Sequence, residues 1–197
     1  MNSLARPPKL LLASTSAYRR ALLERFGVPF EAMTPGVGET RQPNEEPIEL
    51  AHRLARTKAE AIAERHPNAV VIGSDQLAAY GRQILGKPTT EERCREQLRS
   101  MSGQRVNFYT AVHVVGSKAN REAHLDLTTV TFRNLTEDEI ERYVVRERPL
   151  DCAGGFKMEG LGITLFERID SQDPTALIGL PLIWLSGALR RAGFTLP

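Results

Sequence analysis

The chain has 197 residues, 41% hydrophobic and 25% charged. That is ordinary globular usage in a chain long enough to bury a sizeable core; it excludes a disordered, collagen-like or coiled-coil protein and leads us to expect one domain over residues 1–197. Lys and Arg total 26 against 24 Asp and Glu, a net charge of +2. This is too balanced for stable nucleic-acid binding through charge alone, so any anion site has to come from local clustering.

Only Cys94 and Cys152 are present, which argues against a disulfide framework and for a reducing cytoplasmic setting. Arg6 and Lys9 precede only the short apolar run Leu10 to Ala13, far less than an export signal needs. The longest uncharged stretch, Pro174 to Leu189, contains Pro181 and falls short of the ~18 apolar residues of a membrane span, so it reads as core.

In chain order, Lys9 to Ala13 reads as a short strand. Ser14-Thr15-Ser16 then supplies hydroxyls to cap a helix with Tyr18, Leu22 and Phe26 at helical spacing, closed by Gly27. Val28 to Met33 reads as a second strand entering a long Pro- and Gly-containing loop to Glu46. Pro47 opens a helix with Ile48, Ala51, Leu54, Ala55, Ala59 and Ile62 on its apolar side and Lys58 in its last third, ending near His66-Pro67. Ala69 to Gly73, apolar without alternation, predicts a central strand covered on both faces and ending at Ser74-Asp75-Gln76.

Leu77 to Tyr80, Gly81-Arg82 and Gln83 to Leu85 resemble a hairpin, and Thr89-Thr90 begin a helix through Cys94, Leu98 and Met101 that stops at Gly103. Val106 to Val115 and Ala123 to Phe132, joined by Gly116 to Arg121, predict a long antiparallel ribbon, with a bulge where the apolar phase shifts at Thr128-Thr129. Thr136 and Glu139 have capping-box spacing for a helix to about Arg146. A Gly-rich loop from Asp151 to Gly162, a strand over Gly162 to Arg168 and a helix over Leu182 to Arg191 complete a mixed α/β order.

Several chemistries fail on residue type. Gly81 to Lys87 opens like a Walker A motif, but Pro88 stands where a Ser or Thr should hold magnesium and has no N–H to offer phosphate; Lys87 remains usable as a point charge. His52, His66, His113 and His124 lack zinc-ligand spacing and read as surface residues, and no G-x-S-x-G elbow exists. Carboxylates and cations are left. Arg19-Arg20 beside Ser14-Thr15-Ser16 at a helix start can cradle a polyphosphate, or can be a solvated pair beside a cap. Asp75, at a strand end, projects into a crevice or simply belongs to a tight turn. Glu39 and Glu159 sit in Gly-containing loops that can serve a metal or substrate.

Taken together, Leu12-Ala-Ser-Thr-Ser-Ala-Tyr-Arg-Arg20, Val37-Gly-Glu-Thr40, Ala55-Arg-Thr-Lys-Ala59, Ile72-Gly-Ser-Asp-Gln76, Leu85-Gly-Lys-Pro88 and Ala153-Gly-Gly-Phe-Lys-Met-Glu-Gly160 resemble, in order and across nearly the whole chain, the Maf family of nucleotide pyrophosphatases. The resemblance implies an α/β fold of the inosine-triphosphate-pyrophosphatase type, a mixed twisted sheet flanked by helices with two lobes around a cleft. It implies cleavage of a nucleoside triphosphate between the α and β phosphates with a divalent cation, Mg2+, Mn2+ or Co2+. By motif, Asp75 is the proton acceptor for water, Ser14, Arg19, Lys58 and Lys87 hold phosphates, and Glu39 helps hold the metal.

Tyr18, Gln76 and Glu159 mark the subgroup acting on 7-methyl-GTP, whereas the dTTP- or UTP-directed members carry Arg, Thr and Gln there. A carboxylate can accept from a guanine edge, and an aromatic face suits a cationic methylated ring. Ala17 replaces the usual Pro, and Gly38 the usual Asp, which removes one carboxylate from the metal side. The implied partners are a nucleotide and, as an option, a second copy of the chain, with no membrane attachment. The alternatives are a dTTP, UTP or other modified-nucleotide pyrophosphatase, or a septum-formation regulator that acts by binding.

Overall fold

In the computed structural model, residues 8–81, 83–116 and 121–197 are described. The export-signal reading at Arg6, the turn position Arg82 and the connection at 117–120 lie outside them. Strands β1 (Lys9–Leu12), β2 (Phe30–Ala32), β3 (Ala69–Tyr80), β4 (Gln83–Leu85), β5 (Arg105–Val115), β6 (Arg121–Phe132) and β7 (Phe166–Asp170) form one sheet in the order β2-β1-β3-β5-β6-β7, with β4 on β3. The β1 pairings are parallel and the rest antiparallel. Helices α1 (Ala17–Glu24), α2 (Pro47–Ala63), α3 (Glu91–Met101), α4 (Glu137–Glu147) and α5 (Leu182–Arg191) flank it, which is the mixed α/β architecture expected.

The local signals act where they stand. Ser16 caps α1 by accepting from the Arg19 N–H, Thr90 caps α3 in the same way, and Thr136 with Glu139 forms a reciprocal capping box on α4. Gly27 follows α1 at φ +65°, a conformation cheap only for glycine; Phe26 therefore lies past the helix, which ends at Glu24. On α2 the buried side is Leu50, Ala51, Leu54, Ala55, Lys58, Ala59 and Ile62, while Ile48 is 42% exposed. An apolar residue in the first turn is not necessarily on the inner face.

Three boundaries differ from expectation. First, β3 does not end at Ser74-Asp75-Gln76 but runs on to Tyr80, because β5 pairs with it without a break from Val71 to Ala79. The polar triplet is tolerated because each of its side chains finds a partner. Second, no bulge occurs at Thr128-Thr129. The β5–β6 register is continuous, with Asp126, Thr128, Val130 and Phe132 all facing inward and Leu127 48% exposed. Two buried polar residues, Thr128 donating to Asp126 and Ser171, had disguised an unbroken alternation. The irregularity lies instead at Thr131/Phe132 against β7. Third, Leu161–Leu165 is a 3₁₀ turn and the strand starts at Phe166, because the Leu161 N–H is taken by the Glu147 carboxylate rather than by a neighbouring strand.

The apolar interior divides in a way that makes two lobes. Around α1, α5 and β1, Leu10, Leu12, Leu22, Leu23, Leu185 and Leu189 pack on one side, while Phe108, Phe132, Leu98, Met101, Ile140 and Val144 pack beneath α3 and α4 on the other. β3 passes through both. With β5 on one edge throughout, its other edge pairs with β1 over 69–72 and with β4 over 78–80, leaving Gly73 to Leu77 without a strand partner there. The sheet opens at that gap, and the cleft lies in it.

Candidate active site

A cleft of about 840 Å³ between the lobes is lined by all nine residues singled out from sequence: Ser14, Tyr18, Arg19, Glu39, Lys58, Asp75, Gln76, Lys87 and Glu159. Strand alternation sorts the β3 side chains. Gly73, Asp75 and Leu77 face α2, whereas Ser74 and Gln76 face the opposite side. Gly73 has to be glycine, since a Cβ there would stand 2.3 Å from the Ala55 carbonyl oxygen, and this close approach brings Lys58 of α2 onto Asp75.

Lys58 Nζ lies 2.6 Å from Asp75 Oδ1 and 2.6 Å from Glu39 Oε1. Lys58 and Asp75 are 5% and 6% exposed. Burial pushes the Asp75 carboxyl above its ordinary range and Glu39 adds to the push, against the opposing pull of Lys58 and Arg19. Partial burial would also raise Glu39, but the Lys58 hydrogen bond and charge, with Lys87 and Arg19 beyond, outweigh it and lower that carboxyl. One ammonium thus holds a strand carboxylate and a loop carboxylate at a single point.

The same point bears on metal binding. Two carboxylates converge there, but among the described residues no cluster of three or more His, Cys, Asp or Glu side chains forms a cation site, and Gly38 offers no side chain. A magnesium-like ion commonly takes one or two protein carboxylates and completes its shell with water and substrate phosphates. Glu39 and Asp75 fit that pattern.

At the α1 start, Ser14 Oγ accepts from the Ser16 N–H at 3.1 Å and from Arg19 Nη1 at 3.4 Å, and Arg19 Nε donates to the Gly179 carbonyl at 3.1 Å. Arg19 therefore turns into the cleft, whereas Arg20 is exposed and pairs with Glu24. The Arg pair divides into one inward and one solvated residue. Gln76 reaches the cleft wall, but its Nε2 donates to Thr110 Oγ1, Ala176 O and Leu177 O at 3.0, 2.8 and 3.0 Å.

At the other end stand Tyr18, Asp151, Cys152, Met158 and Glu159. The Tyr18 hydroxyl donates to Asp151 Oδ1 at 3.4 Å and lies 3.6 Å from Cys152 Sγ. Burial first, with the Asp151 charge nearby and against the opposing hydrogen bond to Tyr18, leaves the Cys152 thiol pushed up to about 12, a protonated and unreactive sulfur. The loop carrying Glu159 is pinned on both flanks: the Lys157 N–H donates to the Tyr143 hydroxyl at 3.0 Å and the Leu161 N–H to Glu147 at 2.7 Å. Phe156 packs edge-on to Phe166, Phe108 and Phe132, with ring centroids 4.8, 5.2 and 5.7 Å away. Asp151 and Cys152 are not among the site residues read from sequence; their place next to the Ala153-to-Gly160 motif is the available signal.

The loop that carries Glu39 is tied down by Glu45, 7% exposed, which takes the Arg53 fork at 2.6 and 2.9 Å and the Gln42 N–H. Arg53 is the main reason the Glu45 carboxyl is pulled down to about 2. A depressed folded-state value means the unfolded chain binds the proton more readily, so this stabilisation is complete above an unfolded value of about 4.3 and is lost as pH falls towards 2. Thermal melts across that window should show wild type losing stability with acid more steeply than Glu45→Gln; parallel profiles would remove the anchor argument.

Structural comparison places the fold first. The Ham1 protein of Staphylococcus aureus superposes with a TM-score of 0.54 over 93% of this chain and 98% of its own, at 14% identity. A HAM1 protein from Coxiella burnetii gives 0.52 over 93% and 99%, at 13%. The two lobes and open-edged sheet are thus a Ham1-like fold. At the level of sequence, the profile of the family described as Maf-like protein matches residues 9–192, and the chain belongs to that family. It is 57% identical over 190 residues to a protein of Xanthomonas axonopodis pv. citri (strain 306) named 7-methyl-GTP pyrophosphatase, covering 96% of this chain and all of that one. Proteins of the same name from Aromatoleum aromaticum and Hydrogenovibrio crunogenus are 56% identical (96% and 98% coverage) and 46% identical (100% and 99%). No helix among the described residues is long and apolar enough to cross a membrane.

Proposed function

We propose that this chain is a cytoplasmic nucleoside triphosphate pyrophosphatase that hydrolyses 7-methyl-GTP to 7-methyl-GMP and pyrophosphate. The observation that carries the reading is the Glu39–Lys58–Asp75 arrangement in the floor of a cleft whose far end gathers Tyr18, Asp151 and Glu159. The relatives' shared name supports the substrate. Two free thiols, Cys94 and Cys152, suit a reducing compartment.

The roles follow from the chemistry. Asp75, with its raised basicity, accepts the proton of the attacking water. Lys58 fixes the carboxylate's position and offers charge to the phosphates, as do Arg19, Ser14 and Lys87. The start of α1 adds its N–H groups to the same cradle. Glu39, with Asp75 and the substrate's phosphates, would hold a divalent cation, which when bound polarises the phosphoryl group. Tyr18 and Glu159 recognise the methylated guanine by its face and its N–H edge.

The test is product analysis on a panel of triphosphates with and without added divalent metal. Pyrophosphate and 7-methyl-GMP should appear fastest from 7-methyl-GTP and vanish with chelator, and Lys87→Ala should slow every substrate. Release of orthophosphate instead, or nucleotide binding without turnover, would overturn the reading, the latter in favour of a binding regulator.

A further inference from the structure

Five cations line the cleft, Arg19, Arg41, Lys58, Lys87 and Lys157, and they are not equally free to meet an anion. Lys58 already touches two carboxylates at 2.6 Å each, and two carboxylates against one ammonium leave that point without surplus positive charge. Lys157 is turned to Glu147, with Nζ 3.9 Å from its carboxylate and 3.5 Å from its carbonyl oxygen. Arg19, Lys87 and Arg41 have no carboxylate within ion-pairing distance among the described residues. The first two belong to the phosphate set read from the sequence motifs. Arg41 has no role there.

Arg41 is nevertheless held in place. Its Nε donates to the Glu45 carbonyl at 2.8 Å. Glu45 is buried and locked by the Arg53 fork, whose Nη2 also takes the Thr40 carbonyl at 3.0 Å. The backbone is thus fixed on both sides of Arg41, two residues beyond the Glu39 that meets Lys58. With Nε spent on a carbonyl, the Nη groups remain as donors, and neither has a hydrogen-bond partner among the described residues. Arg19 is anchored in the same manner, Nε on the Gly179 carbonyl at 3.1 Å. Two arginines from separate elements enter the cleft with their inner nitrogens tied down.

We propose that Arg41 is a further phosphate-binding residue: its Nη groups, aimed by the Nε anchor, join Arg19 and Lys87 in neutralising the substrate's polyphosphate. The identity of the anion rests on the pyrophosphatase reading. An anchored guanidinium gives up less freedom on meeting phosphate than a solvated one, and its remaining N–H groups still suit phosphate oxygens. The effect of Arg41 should therefore fall on the phosphate chain, whatever base it carries.

The experiment compares three variants. Arg41→Gln removes the charge; Arg41→Lys keeps it without the fork; Arg20→Gln removes a charge at an exposed position paired with Glu24 and outside the cleft lining. Kd is measured by calorimetry for inorganic pyrophosphate and for 7-methylguanosine, which has no phosphate, at constant magnesium, alongside kcat/KM for 7-methyl-GTP and UTP. We expect Arg41→Gln to weaken pyrophosphate by about 10- to 100-fold, the loss of a charged hydrogen bond. It should lower kcat/KM for both triphosphates by one common factor and leave 7-methylguanosine unchanged. Arg41→Lys should regain part of the loss, and Arg20→Gln should match wild type. Added salt should weaken pyrophosphate binding less steeply in Arg41→Gln than in wild type. Three results would each overturn the assignment: a pyrophosphate Kd unaltered in Arg41→Gln; an equal loss for 7-methylguanosine, which marks a loop merely slackened; or an equal loss in Arg20→Gln, which marks net charge alone. If wild type hydrolyses no triphosphate while pyrophosphate binding depends on Arg41 as expected, the phosphate site stands and the pyrophosphatase reading alone falls.

Discussion

Asp75→Asn is expected to lower kcat by about a hundred- to ten-thousandfold, the range lost when a positioned general base is removed, with nucleotide affinity largely kept. The amide preserves volume and still presents an oxygen to Lys58, but it cannot take up a proton. The fold should survive, because Lys58 retains Glu39 at 2.6 Å and the buried carboxylate is replaced by an amide of the same size whose oxygen can keep the Lys58 contact. A cost of about 1 kcal/mol would move Tm by only about 2–4 °C in a chain of this size. A second signature separates loss of the base from general damage. Burial raises the Asp75 carboxyl, so wild-type kcat/KM should fall on the acid side above the ordinary carboxylate range, and that limb should be missing from the residual activity of Asp75→Asn. Near-normal turnover in a folded variant would end the assignment.

What could be read from sequence, and what could not, divides along a physical line. Caps and periodicity are local, so the α2 start at Pro47, the α4 box at Thr136 and Glu139, and the β5–β6 ribbon were all legible. The path of β3 was not, because the residues that keep it extended past Gly73 belong to β5, 28 to 38 positions away. No bulge forms at Thr128-Thr129 because apolarity is a poor proxy for burial at Thr128, whose hydroxyl is satisfied inside. The nine candidate site residues do share one cleft. Their ordering around the Lys58 ammonium, the division of labour between Arg19 and Arg20, and the commitment of the Gln76 amide depend on which side of a strand or helix each residue occupies. The Asp151 contact to Tyr18 bridges 133 positions, beyond any spacing rule.

That contact shapes the expectation for base selection. Tyr18 stands with Asp151 and Glu159 at one end of the cleft, so a base bound against the ring is flanked by two carboxylates, an environment favourable to the delocalised cation of 7-methylguanine and indifferent to a neutral base. Glu159→Gln keeps size and loses charge and an acceptor, so kcat/KM for 7-methyl-GTP should fall by about 10- to 100-fold, a few kcal/mol at most, from an unpaired substrate donor. GTP should lose less, since it forfeits only the hydrogen bond, and UTP less again.

Tyr18→Arg should act in the same direction for a different reason. Its guanidinium can pair with Asp151, cancelling one of the two carboxylates while placing a positive charge where the methylated ring would stack. 7-Methyl-GTP should then lose more than UTP, and the gap between them should narrow or invert. Because neither substitution touches Lys58, Asp75 or Glu39, turnover of UTP provides the internal control that the chemistry is intact. If the ranking of 7-methyl-GTP, GTP and UTP is unchanged in both variants at constant metal, base choice does not reside in this end of the cleft, whatever the fate of the pyrophosphatase assignment.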